Sequence, residues 1–267
     1  MLKFLDSFFY LFGFLFVRIY RSSGGFGKFF IFHFKLFKKY FIRPLRIRDI
    51  LFHIENIGIK SIPLVSLVAI FTGLVVSIQL YNGFEDFGAE GFMGYTIFIA
   101  VTKELAPVFG VLMVISRAIS SMAAEIGTMR VTEQIDAIDT LGVDSKKLLI
   151  IPRIIATTIS LPLLVIIFDF LANISAYFIC TGTLGINPSI YLNTISTYLE
   201  LSDILSGVIK AFFFGFVISA IGTYVGYHTR GGARGVGLST TSAVVYSAVS
   251  IFVLNYFLSS VFLFIGW

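Results

Sequence analysis

The sequence holds one cysteine, Cys180, in 267 residues. An internal disulfide and a thiolate metal cluster are therefore both excluded. Cys180 reads as a small packing residue within a helix. Histidine is nearly as scarce: His33, His53 and His228 lie far apart, with no HExxH and no ligand spacing. No metal centre and no other cofactor is expected. The phosphate-binding pattern G-x-x-x-x-G-K-[ST] is missing as well. "RGGARGVGLSTT" is rich in glycine, but it lacks the lysine and follows no strand, so it reads as a turn leading into an apolar run. The shortage that decides most is charge. Only 13% of residues are charged, against 57% hydrophobic. A soluble domain could not cover its surface with so few, so most of the chain is expected to face lipid. The net charge of +5 does not point to nucleic acid, because the basic residues lie between apolar runs and not among aromatics on a polar background.

What is present is a set of long apolar runs. A membrane-crossing helix needs about 20 such residues. Five stretches qualify, roughly 59–84, 95–122, 148–182, 204–227 and 236–266. The third is longer than one crossing, and Pro152 and Pro162 are placed to bend it. The expected fold is an all-α integral membrane protein.

The basic residues orient these spans. Residues 1–60 carry Lys3, Arg18, Arg21, Lys28, Lys35, Lys38, Lys39, Arg43, Arg46, Arg48 and Lys60. Between spans two and three lie Arg117, Arg130, Lys146, Lys147 and Arg153, and before span five lie Arg230 and Arg234. The loops "NGFEDFGAEG" and "TLGINPSIYLNTISTYLELSD" have none. This strict alternation predicts a cytoplasmic N-terminus and a C-terminus on the outer side. The Phe-rich opening, "FLDSFFYLFGFLFVRIYR", is short for a span. Asp6 and the lack of a small-x-small cleavage site argue against a signal peptide. It and the following "FGKFFIFHFKLFKKYFIRPLRIRD" read as helices lying in the inner-leaflet interface. The expected organisation is an interfacial or elbow segment at 1–58 and a transmembrane domain at 59–267.

Two basic residues, Lys103 and Lys210, fall inside spans. Lysine at mid-membrane costs about 2.5–3.5 kcal/mol on insertion scales, so both call for a reason. Lys103 lies about nine residues into span two, roughly 13 Å deep, and Lys210 about six residues into span four, roughly 9 Å deep. With both spans running inward, the two sit at similar depth in the outer half. Asp203 is two turns above Lys210, and Glu104 adjoins Lys103. Pairing of Lys103 with Asp203, or Lys210 with Glu104, would fix helix packing alone.

The connection between spans two and three, "AAEIGTMRVTEQIDAIDTLGVDSKK", has Val131, Ile135, Ile138 and Leu141 at helical spacing. A short helix is expected over about 130–142, capped by Thr132 and ended by Gly142, with Asp144 capping the next helix. By spacing alone it packs on its own protein or docks a partner.

The run "ELAPVFGVLMVISRAISSMAAEIGTMRVTEQIDAIDTLGVDSKKLLIIPRIIA" resembles the MlaE/YrbE family, permease subunits of Mla-type (maintenance of lipid asymmetry) ABC transporters. "KELAPV", "AAEIGTMRVTEQIDA", and "LGVD" followed by "PR" carry the likeness. "ISLPLL" and "GARGVGLSTTSAVV" extend it, so that it covers roughly residue 91 to the C-terminus. Ser145 stands where the family usually has proline after "GVD". The resemblance implies a homodimeric phospholipid permease of the bacterial inner membrane. It also implies two cytoplasmic ATPase subunits, a periplasmic MCE-domain (mammalian cell entry) ring protein and often a STAS-domain partner. By this analogy "VTEQIDAID" is the helix that meets the ATPase, through Glu133, Gln134 and Asp136. The analogy also places a lipid cavity around Lys103, Glu104, Asp203 and Lys210, whose mixed charges suit a phospholipid headgroup.

Other readings make different demands. A secondary transporter, or a lipid-handling membrane protein working without an ATPase, is the alternative, but the five spans show no duplicated halves. An intramembrane enzyme using Glu104, Asp203 or Ser239 would need a convergent base and nucleophile, and none is evident. A channel would need a charged ring or filter loop. The chain is therefore expected to be a non-catalytic subunit.

Overall fold

The computed structural model describes residues 27–36 and 46–266, and all regular structure among them is helical. The chain divides into two compact units, Met1–Leu45 and Arg46–Trp267. In the first, residues 27–36 form a helix, and His33 Nδ1 lies 3.0 Å from the Phe29 carbonyl one turn back. The interfacial helix expected within residues 1–26 lies outside the described residues.

The second unit holds five helices long and apolar enough to cross a membrane: Ile47–Glu85, Glu90–Val131, Ser145–Gly182, Leu201–Tyr227 and Gly232–Ile265. They contain the expected runs except for Gly266, which caps the last helix, and their extra length lies mostly at the more polar ends. The first begins as an elbow helix, Ile47–Ile57, and turns through Ile59–Ser61 into Ile62–Glu85. Pro152 stands in the first turn of Ile151–Gly182, where its missing N–H breaks no helical bond. Pro162 lies inside that helix, which continues through it.

Span three packs against spans one and four, and span four also packs against spans two and five. Lipid offers no hydrophobic drive for helices to associate, so close contact rests on small residues and hydrogen bonds. At Gly73 a Cβ would collide with the Ala172 carbonyl, and Ser175 Oγ donates across the same gap to the Ile70 carbonyl at 3.0 Å. At Gly207 a Cβ would collide with the Thr102 carbonyl, so spans two and four touch backbone to backbone. Span five contributes few buried residues, and Val249, Phe252, Tyr256 and Phe257 are all exposed along it.

The connecting helix runs over Gln134–Thr140, shorter than expected. The preceding helix continues to Val131, and the break comes at Glu133, whose φ of 61° is left-handed. Thr132 is not its cap, because its hydroxyl donates back to the Thr128 carbonyl at 2.9 Å. Gly142 ends the segment with φ 75°, and Asp144 accepts from the Lys147 N–H at 3.3 Å as a cap. Of the expected apolar face Ile135 is fully buried, whereas Leu141 is exposed.

Candidate functional site

Span two is not α-helical throughout. It widens into a π-turn at Val101–Leu105 and a second at Ile115–Ile119. Such turns cluster at functional sites. The first carries Lys103 and Glu104, and Pro107 follows it. Proline has no N–H, so the Lys103 carbonyl lacks its ordinary helical donor four residues on. Lys210 of span four supplies one: its Nζ lies 2.8 Å from that oxygen.

The same ammonium donates to Glu104 Oε1 and to Ser259 Oγ, each at 2.8 Å. An ammonium has three donors, and these three acceptors match them. The Lys210 side chain is only 2% exposed. A buried cation is tolerable when it is paired and fully hydrogen-bonded, and Lys210 meets both conditions. Glu104 is the open partner, with 46% of its side chain exposed. Its carboxylate also accepts from Ser259 Oγ at 2.9 Å and from Asn255 Nδ2 at 2.8 Å. The π-turn thus sends two adjacent side chains to different neighbours. Glu104 reaches spans four and five, while Lys103 meets Asp203 of span four at 2.7 Å. Asp203 is buried and also accepts from the Glu200 N–H at 2.9 Å, closing the cap of its helix.

All four expected site residues are therefore brought together, in the two pairings the sequence allowed. Sequence reasoning missed Asn255 and Ser259. They sit one turn apart in the apolar C-terminal half of span five, and that spacing was the signal.

The second π-turn carries Arg117. Its guanidinium donates to Ser61 Oγ at 3.0 Å and to the Asn56 and Ile57 carbonyls. A cation there satisfies open carbonyls at the C-terminal end of the elbow helix and opposes its dipole. At the end of the bundle holding the connecting helix, Glu133, Gln134 and Asp136 are all exposed. Asp136 pairs with Arg130 at 2.6 Å. Among the described residues no group of three His, Cys, Asp or Glu could hold a metal. The lysine–carboxylate cluster can bind and orient a polar group within an apolar bundle.

Comparison with known proteins bears on this arrangement. The family model described as Permease MlaE matches residues 50–261. A probable ABC transporter permease protein of Rickettsia bellii is 42% identical over 245 residues, covering 92% of this chain and 95% of that one. One from Rickettsia prowazekii is 44% identical over 218 residues, or 82% and 83% of the two chains. The intermembrane phospholipid transport system permease protein MlaE of Haemophilus influenzae is 30% identical over 206 residues, or 77% and 79%.

Proposed function

The chain belongs to the MlaE permease family, and we propose that it is the membrane subunit of an ATP-driven phospholipid transporter. It is a multi-pass membrane protein and a transporter permease subunit. In our reading it works as a homodimer in the bacterial inner membrane, with its N-terminus cytoplasmic as the loop charges require. Two cytoplasmic ATPase subunits drive it by hydrolysing ATP, and a periplasmic MCE-domain ring protein exchanges lipid with it. A STAS-domain protein completes the assembly. The cargo is phospholipid passing between this membrane and the periplasm or outer membrane, which maintains lipid asymmetry there.

One observation carries the reading: a half-exposed carboxylate and a partly exposed ammonium brought together in an apolar bundle. A zwitterionic or anionic headgroup is the natural partner of such a pair. Lys103 faces the phosphate, since Asp203 uses only one of its three donors. Glu104 faces an amine where the headgroup has one. Asp203 and Lys210 hold these two in place from the buried side. Glu133, Gln134 and Asp136 present the connecting helix to the ATPase.

Native mass spectrometry of the protein gently extracted from its own membrane tests the reading. Two copies with two nucleotide-binding subunits and added phospholipid masses are expected. A subunit that carries neither ATPase nor lipid under conditions that keep other transporters whole refutes it, and favours a carrier that works without an ATPase.

A further inference from the structure

The connecting helix is tied to the bundle by a closed circuit of side chains. Arg130, at the end of span two, pairs with Asp136 of that helix at 2.6 Å. Asp139 of the same helix accepts from the Ser145 N–H at 3.0 Å. Ser145 begins span three and is buried; its Oγ lies 3.1 Å from the Tyr227 hydroxyl. Tyr227 is the last residue of the span-four helix. The circuit closes where the Arg130 guanidinium lies 5.8 Å from the centroid of the Tyr227 ring, and Lys146 Nζ lies 5.7 Å from it. Cations placed in this way are attracted to the ring. Span two and span four are also pressed together here, since a Cβ on Gly226 would crowd Ala123 and Ile126.

Every link that leaves the connecting helix toward span four in this circuit runs through Ser145 or Arg130 to Tyr227. Span four also carries Asp203 and Lys210, the partners of Lys103 and Glu104. The connecting helix is therefore joined by an unbroken run of contacts to the helix that holds Asp203 and Lys210. Resting on the transporter reading above, we propose that Tyr227 is the positioning residue that transmits ATPase motion to the lipid site, and that the Ser145 hydroxyl is its partner. Serine at 145 matters chemically, because a proline there would have neither the hydroxyl for Tyr227 nor the N–H for Asp139.

The test uses the whole purified complex in vesicles. ATP turnover and lipid transfer are measured together for Tyr227→Phe, Ser145→Ala and the double variant. Both single changes delete the same hydrogen bond and leave the ring and the fold in place. The expected result is lipid moved per ATP falling about threefold in each, as the loss of one neutral hydrogen bond implies. Subunit stoichiometry and ATP turnover stay as in the unaltered complex, and the melting temperature falls by no more than the loss of one buried hydrogen bond implies. The double variant is expected to be no worse than either single one, because the two groups act through one bond.

Unchanged lipid per ATP in both single variants overturns the proposal. Losses that multiply in the double variant also overturn it, because the two groups then act separately. A lower ratio that merely tracks lost assembly or melting temperature shows a structural role and overturns it too. If the unaltered protein holds no ATPase, the transporter reading itself fails and this proposal fails with it.

Discussion

Replacing Lys210 with methionine leaves an unbranched side chain one atom shorter and removes its three donors. Two losses follow. The Lys103 carbonyl is left without its partner, since Pro107 cannot supply the helical N–H. An orphaned buried acceptor costs about 1–3 kcal/mol. The ion pair to Glu104 is also lost, but that carboxylate is 46% exposed and keeps Ser259 and Asn255 as donors. Screening reduces that part to about 1 kcal/mol or less. The expected destabilisation is therefore about 1–4 kcal/mol, most of it from one backbone oxygen. This attribution can be checked by a second change. Pro107→Ala offers an N–H to the Lys103 carbonyl and should restore about 1 kcal/mol when Lys210 is absent. In the presence of Lys210 the carbonyl is already bonded, so the same N–H has less to add. Equilibrium unfolding in mixed detergent micelles, run on all four members of the cycle, isolates the coupling. Effects that add to within about 0.5 kcal/mol would show that Lys210 and Pro107 do not share the carbonyl.

Four further outcomes are expected. Gly207→Ala should cost about 1–3 kcal/mol by wedging spans two and four apart, whereas Gly83→Ala, with nothing within 4 Å, should not; equal melting temperatures for both would refute the close contact. Arg117→Ala should speed amide exchange in Ile47–Ile57 about tenfold, as loss of a charged cap implies, and unchanged exchange would remove that role. Lys103→Ala should lower co-purifying phospholipid severalfold with the subunit still folded, and unaltered lipid masses would end the headgroup role. Reversing charge at both Glu133 and Asp136 should release the ATPase, and a complex that stays whole would locate its docking elsewhere.

The five spans were legible because length and apolarity alone mark a crossing, and the two lysines stood out against that background. Their pairing was legible from register: Asp203 and Lys210 lie two turns apart, so one neighbouring helix can meet both. The π-turns were not, because a helix one residue wider has no residue-type signature beyond a nearby Pro107, and Ile115–Ile119 lacks even that. Glu133 was equally hidden. Glutamate favours ordinary helix, and only the structure shows it left-handed at the junction. The Ser145–Tyr227 contact joins positions 82 apart in sequence, a distance no local pattern can span.

The two π-turns divide span two into three α-helical lengths in series: Met93–Ala100, Ala106–Val114 and Ser120–Val131. Each turn takes in one residue more than an α-turn while the helix continues on either side of it. Deleting a single residue from Val101–Leu105 would let that turn close to ordinary α-helix. Arg117 and the residues after it would keep their places, and the loss would fall on Lys103 and Glu104, which could no longer both reach their partners. The surplus residue is a local slack in the rod, placed where the rod carries its charges.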